Sequence, residues 1–204
     1  GITDTHIASA TALRELMEKK ATSSEFANYV SEPAVQLLTA GDQTKSWDEA
    51  WYPFLQYKVL TTPVSQLEQI YQLNDGLAYR LNEQITRYTR VDYETFMTMF
   101  KSKRYTWARL QRTNLYTLLN VRHDEMMQAL QHPYLRVLGA TKQGRLFMKQ
   151  TRDQVQLPVI NRVTHDMVTD ILQLDYRAGK LYELMAKQPM QQAMDTGRIP
   201  VFYE

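Results

Sequence analysis

The 204-residue sequence contains no cysteine, which excludes disulfide cross-links, thiolate catalysis and cysteine-ligated zinc. No apolar run approaches the roughly 18 residues of a membrane-spanning helix, and the first residues lack the basic and apolar regions of a secretion signal. Glycine and proline contribute only 7 residues each, which excludes collagen-like and low-complexity classes. These absences predict a soluble globular protein of the cytoplasm.

Signatures of catalysis are also missing. The four histidines follow no metal-ligand spacing, and the sequence contains no HExxH, GxSxG or Walker-type loop. Gly139 and Gly144 do not form a dinucleotide-binding fingerprint. The residues alone therefore predict no catalytic residue and no metal site, and they favour a binding module with at most part of an active site.

The net charge of +2 conceals a strong segregation of charge along the chain. Residues 1–79 carry 5 basic and 10 acidic side chains, whereas residues 80–112 carry 8 and 3. Residues 113–165 are again basic, with 7 against 3, and residues 166–204 return to a net charge of −2. A basic block between two acidic ones is typical of a protein that presents one surface to a polyanion.

The centre of the basic block is Lys101–Arg112, KSKRYTWARLQR, which we call the basic stripe. It contains five cations and two aromatic residues and no acid. On one continuous α-helix, the basic residues and tyrosines would share an arc of about 80°, and the bulky apolar residues would share another. The predicted exposed face comprises Lys101, Tyr105, Arg109, Arg112 and Tyr116, and the predicted buried face comprises Trp107, Leu110, Leu115 and Leu118.

Two interpretations of the basic stripe are open at this stage. Arginine and lysine neutralise phosphates, and a tyrosine ring can stack on a base, so the stripe has the chemistry of an RNA or single-strand contact surface. Alternatively, it is a solvated face whose cations pair with acids elsewhere in the protein.

A second candidate site lies near the N-terminus, where HIASATALRELMEKK predicts a capped amphipathic helix. Ser9 and Thr11 fall where backbone amides are unpaired and the helix dipole is positive, and Arg14 follows within reach. These three residues could hold a phosphate. The alternative is that Ser9 only caps its helix.

The remaining patterns predict a mainly α fold with one small βαβ or two-stranded element. An apolar run at Tyr134–Gly139 and a β-branched run at Leu157–Val163 flank a helix and predict a parallel pair. The tail, IPVFYE, is predicted to dock as an irregular segment. Residues 41–48 are predicted to be a linker, and a short helix is predicted within Val121–Gln131. Another helix is predicted to start at Pro53. Further helices are predicted at Glu32–Leu38, Val64–Tyr71, Gly76–Tyr88, Tyr93–Phe100 and Asp166–Lys187.

Resemblance to a known family rests on five segments: HIASATALRELM, KSKRYTWARLQR, PYLRVLGATKQGR, LPVINRV and LDYRAGKLYEL. Together they resemble the C-terminal half of the bacterial tRNA(Met) cytidine acetate ligase family, within the HxGH-type nucleotidyltransferase superfamily. The resemblance covers nearly the whole chain. It implies that residues 1–40 are the C-terminal tail of a nucleotidyltransferase domain and that residues 41–204 are a helical tRNA-binding domain.

Members of this family use ATP to activate acetate as acetyl-adenylate and then acetylate the wobble cytidine of elongator tRNA(Met). The resemblance therefore implies ATP as cofactor of the full-length protein, with Mg²⁺ as a candidate companion ion, and elongator tRNA(Met) and acetate as partners. It also implies that the ATP-binding HxGH loop lies in an N-terminal catalytic domain missing from this sequence, so that this chain alone would be inactive. The alternative function is a non-catalytic helical RNA-binding or interaction module.

The resemblance also implies site residues. The family's phosphate motif falls on Ser9, Thr11 and Arg14, with Ala10 in place of the commoner second serine. The family's RYTxxRLQR motif falls within the basic stripe. The predicted tRNA-binding residues are Lys101, Lys103, Arg104, Tyr105, Arg109 and Arg112.

Overall fold

Helices dominate the described part of this computed structural model, so the mainly α prediction is confirmed. The described residues are 2–4, 7–40, 47–164, 167, 172–185 and 199–203. The helices are α1 (Ala10–Glu18), α2 (Ser23–Ala27), α3 (Glu32–Ala40), α4 (Trp47–Thr61), α5 (Val64–Leu67), α6 (Leu77–Arg87), α7 (Tyr93–Phe100), α8 (Trp107–Leu118), α9 (His123–Gln131), α10 (Lys142–Thr151) and α11 (Gln173–Met185). The strands are β1 (Ile2–Asp4), β2 (Ile7–Ala8), β3 (Leu135–Arg136), β4 (Gly139–Thr141), β5 (Val159–Ile160) and β6 (Val201–Tyr203).

The chain divides into two compact units, residues 1–50 and residues 51–204. The predicted domains, 1–40 and 41–204, rest on the functions that the family resemblance implies, so that division stays a prediction. Most of the predicted linker lies outside the described residues, and its last two positions belong to α4. Among the described residues, no helix is both long and apolar enough to cross a bilayer.

The first unit begins with a strand pair that the sequence patterns did not predict. β1 and β2 pair antiparallel, with Ile2 opposite Ala8. α1 then begins as predicted, because the hydroxyl of Ser9 accepts a hydrogen bond from the amide of Ala12 at 3.2 Å. α2 begins at a capping box in which Glu25 accepts from the amide of Thr22.

The core of the second unit is built by α4 to α8. α6 buries Leu77, Leu81 and Ile85, which recur at four-residue spacing as the sequence predicted. α7 has the predicted bounds, and its Phe96 stacks on Phe100 with ring centroids 5.3 Å apart. Apolar side chains at helical spacing therefore position these helices.

The predicted bounds of α4 and α5 are wrong. α4 begins six residues before Pro53, so proline lies inside the helix and not at its start. The helix tolerates Pro53 because packing of its neighbours Tyr52 and Leu55, which are 4% and 0% exposed, offsets the lost backbone bond. α5 ends at Leu67, and the chain after it pairs at Ile70 with Arg122 as an isolated antiparallel bridge.

The predicted βαβ unit is present. β3 and β5 pair in parallel, Leu135 beside Val159, and α10 lies between them in sequence. Ile160 belongs to a small buried cluster with Val163 and Leu172. The strand–helix–strand order therefore predicted the pairing direction correctly.

The tail does dock, but as a regular strand. β6 pairs in parallel with β4, and Gly139 lies beside Val201. A Cβ atom at position 139 would lie only 2.8 Å from the carbonyl oxygen of Val201. Glycine at this position therefore permits the close approach of the two backbones.

We predict that Gly139→Ala displaces β6, at a cost of about 1–3 kcal/mol, because the added methyl group overlaps the Val201 carbonyl. Amide hydrogen exchange of residues 201–203 should accelerate. The matched control is Gly144→Ala in α10, where a Cβ atom would make ordinary 3.5 Å contacts with Ala140 and Thr141. The control should leave this exchange unchanged and stabilise the protein by roughly 0.4–1 kcal/mol. Equal exchange in both variants would contradict the prediction.

Candidate functional site

The basic stripe is not one helix, so the predicted continuous helix is wrong. α7 ends at Phe100, and Lys101 adopts an extended conformation, with φ −61° and ψ 138°. α8 begins only at Trp107, because the hydroxyl of Thr106 caps it by accepting from the amide of Arg109 at 3.2 Å. The first half of the stripe is therefore a connection between two helices.

The buried face of α8 is largely polar. Leu110, Thr113, Asn114 and Thr117 are all fully buried. The hydroxyls of Thr113 and Thr117 donate to the carbonyls four residues earlier, at 2.8 and 2.9 Å. Because these hydroxyls carry their own partners, they can face the core without a large desolvation cost.

Two residues of the predicted buried face are exposed. Trp107 is 45% exposed and Leu115 is 38% exposed, whereas Leu110 is buried as predicted. The error has a physical cause, since α8 turns its small polar residues inward and leaves bulky ones at the surface. The tryptophan ring is thus the aromatic group of the stripe that is available to a ligand, and the sequence pattern missed it.

Tyr105 lies in the core, which contradicts its predicted exposure. Its side chain is 6% exposed and belongs to the main hydrophobic cluster. The guanidinium carbons of Arg104 and Arg109 lie 5.4 and 4.8 Å from the centre of its ring. Such cation–π contacts stabilise a cation in a fixed place. Tyr105 therefore positions two arginines and offers no free face for a base.

The cations of the stripe differ in what they contact. Arg104 lies 3.5 Å from Asp75, but both side chains are more than half exposed, so this ion pair adds little stability. Lys101 donates to the carbonyl of Ser102 at 2.6 Å. Lys103 and Arg112 are exposed, and neither side chain has a hydrogen-bond or ion-pair partner within the described part of the chain. The ion-pair interpretation thus has little support at these two positions.

Arg80 of α6 holds the point where the stripe leaves α7. Its guanidinium donates to the carbonyls of Met99 at 3.0 Å, Phe100 at 3.1 Å and Lys101 at 3.3 Å. The last carbonyls of a helix lack intrahelical partners and carry the negative end of its dipole. Arg80 therefore serves as a C-terminal cap for α7 and fixes the start of the stripe.

We expect Arg80→Ala to lower the free energy of unfolding by about 1.5–3 kcal/mol, because charge-assisted bonds to three carbonyls are lost. Urea denaturation measures this change. Arg90→Ala is the control, since Arg90 is an exposed arginine of the same unit and should matter by less than about 0.5 kcal/mol. Similar losses in both variants would contradict the capping role.

At the N-terminal candidate site, the start of α1 is arranged as a helix cap. Ser9 uses its hydroxyl to accept from Ala12, whereas Thr11 and Arg14 are exposed. Residues three apart share one side of a helix, so these two side chains extend from the same side of α1. The arrangement can receive an anion, and its role in phosphate binding stays a prediction.

The titratable groups with shifted pKa values are structural. Burial raises the pKa of Tyr52 to about 12. Hydrogen bonds from Thr95 lower the pKa of Asp92, which caps α7, and a hydrogen bond from Arg122 lowers the pKa of Asp124. The described residues include no group of three or more metal-ligating side chains, and the histidines at 6 and 165 lie outside them. These shifts therefore mark caps and core, not an acid–base pair.

Comparison with known proteins assigns the family. The HIGH Nucleotidyl Transferase family matches residues 1–196. The chain belongs to this family. Among curated relatives, a Leuconostoc citreum (strain KM20) protein named tRNA(Met) cytidine acetate ligase is 37% identical over 201 residues, covering 98% of this chain and 50% of the relative. The protein of the same name from Bacillus subtilis (strain 168) is 28% identical, with 98% and 50% covered.

Solved structures agree with this HIGH Nucleotidyl Transferase assignment at the level of the fold. Thermotoga maritima TmcAL in an apo form matches with a TM-score of 0.79 and 21% identity, over 98% of this chain and 52% of that one. The same protein bound with alpha-thio ATP matches with a TM-score of 0.80 and 22% identity, over 96% and 52%. The chain thus spans about half the length of the relatives it matches.

Proposed function

We propose that the chain is the tRNA-binding part of an ATP-dependent ligase that activates acetate as acetyl-adenylate and acetylates the wobble cytidine of elongator tRNA(Met). The observation that carries this proposal is the 37% identity, over nearly the whole chain, to a protein named tRNA(Met) cytidine acetate ligase. The 201 residues compared span both the start of α1 and the basic stripe.

The basic stripe is the proposed contact with tRNA. Lys103 and Arg112 are exposed cations, and Tyr105 holds Arg104 and Arg109 at the edge of the core. Cations held in place lose less side-chain entropy when they bind a phosphate. Near them, Trp107 offers a partly exposed ring for stacking. In this proposal Tyr105 acts through the arginines and does not touch RNA.

The start of α1 is the proposed contact with ATP. Thr11 and Arg14 suit a phosphate group, because both are exposed beside the amides of a helix N-terminus. Bound ATP supplies the adenylyl group for acetate activation. Ser9 contributes by fixing the helix start through its bond to Ala12.

We predict that Arg112→Ala and Lys103→Ala each weaken binding of elongator tRNA(Met). Each should lower the slope of log affinity against log salt by about 0.7–0.9, because one phosphate contact is lost. Stability should be unchanged, since both side chains are exposed. Electrophoretic shift titrations at several salt concentrations measure the effect, with initiator tRNA and an unrelated tRNA in parallel.

Arg90→Ala is the control for these variants, because Arg90 is an exposed arginine of the same unit outside the stripe. It should leave the slope unchanged. Trp107→Ala should weaken binding by roughly 1–3 kcal/mol with little change of slope, since stacking releases no counterions. If Lys103→Ala, Arg112→Ala and Trp107→Ala all bind like the wild type, the stripe is a solvated face and the tRNA contact lies elsewhere.

In the full-length ligase, we expect Arg14→Ala to weaken ATP use by the equivalent of about 1.5–3 kcal/mol, because a charge-assisted phosphate contact is lost. Acetate-dependent ATP–pyrophosphate exchange measures this. Arg14→Lys should retain part of the activity. Ser9→Ala should instead cost about 0.5–2 kcal/mol of stability as a lost cap. Unchanged ATP kinetics in Arg14→Ala would leave Ser9 as a plain cap and remove the phosphate site.

A further inference from the structure

A second basic surface lies in the second unit, apart in sequence from the stripe. α10 and the C-terminal strand β6 enclose a half-open cleft of about 890 Å³, within the size range of ligand sites. We call it the α10–β6 cleft. Its lining residues are Lys142, Arg145, Leu146, Lys149, Phe202 and Tyr203.

The cations of this cleft share one side of α10. Lys142, Arg145 and Lys149 follow one another at spacings of three and four, which places them along one helix face. All three are exposed, and none has an ion-pair partner within the described residues. No acid lines the cleft in the described structure. The result is a concentrated positive field at a concave surface.

The opposite wall is aromatic and remains open to solvent. Phe202 is 48% exposed and Tyr203 is 63% exposed, although both belong to a paired strand. The guanidinium carbon of Arg145 lies 5.1 Å from the centre of the Phe202 ring, so the cation and the ring are held together across the cleft. The pairing of β6 with β4 fixes the backbone that carries both rings.

We propose that the α10–β6 cleft binds an unpaired segment of RNA, with bases against Phe202 and Tyr203 and phosphates beside the three cations. Exposed rings can stack only on bases that are not already stacked in a duplex, and cations along one edge match a phosphate chain. This proposal rests on the proposed function in that tRNA is the partner. A tRNA offers such segments in its loops and at its 3′ end.

The test measures binding of a fluorescein-labelled 12-nucleotide oligouridine to the 204-residue chain by fluorescence anisotropy, at several salt concentrations. Lys149→Gln should lower the salt slope by about 0.7, the value of one single-strand phosphate contact. Tyr203→Leu should weaken binding roughly 5- to 100-fold with an unchanged slope, whereas Tyr203→Phe should retain it because the ring remains. Circular dichroism melting confirms that each variant is folded.

The control is Arg152→Gln, which removes an exposed cation just beyond α10 that does not line the cleft. It should leave binding unchanged. Three results would overturn the proposal: equal effects of Arg152→Gln and Lys149→Gln, no effect of Tyr203→Leu, or equal affinity for a 12-base-pair RNA duplex. Displacement of the labelled oligomer by an equimolar concentration of ATP would also overturn the proposal, because the cleft would then be a free-nucleotide site.

Parallel titrations with elongator tRNA(Met) separate this proposal from the proposed function. If tRNA binding depends on Arg112 but no cleft variant alters oligomer binding, the cleft proposal fails alone. If the chain binds no tRNA but binds the oligomer through Tyr203 and Lys149, the proposed function fails and the cleft remains an RNA site.

Discussion

The contact between the buried ring of Tyr105 and the guanidinium groups of Arg104 and Arg109 connects the core to the surface of this protein. The ring belongs to the main hydrophobic cluster, so its position is set by packing. The arginines are then placed by the ring, and the connection that carries them is fixed at its start by Arg80. A basic surface is thereby held by the same interactions that stabilise the fold.

Periodicity and turn chemistry predicted much of this fold. The bounds of α7, the buried face of α6 and the parallel pairing of β3 with β5 all follow from local patterns. The composition of residues 101–112 also predicted a basic segment. The family resemblance predicted a nucleotidyltransferase, and the match to the HIGH Nucleotidyl Transferase family confirms it. Local patterns predict burial correctly where the apolar residues of a helix or strand lie on one face.

The wrong predictions of burial concern residues whose exposure depends on contacts between segments distant in sequence. Tyr105 is buried and Trp107 exposed because Thr106 starts a new helix, and the threonines of α8 satisfy their hydroxyls internally and can face inward. No spacing rule carries that information. The α10–β6 cleft was missed for a similar reason, since Phe202 meets Arg145 only through a parallel strand pair formed by residues more than 50 positions apart.

Contact between the basic stripe and tRNA is tested most directly by photo-crosslinking of elongator tRNA(Met) containing 4-thiouridine to the chain, with the crosslinked peptides identified by mass spectrometry. We expect crosslinks at Trp107 and at its exposed neighbours in residues 103–112, and none at the buried ring of Tyr105. Crosslinks that avoid residues 101–112 altogether, while tRNA remains bound, would show that the stripe is not the tRNA contact.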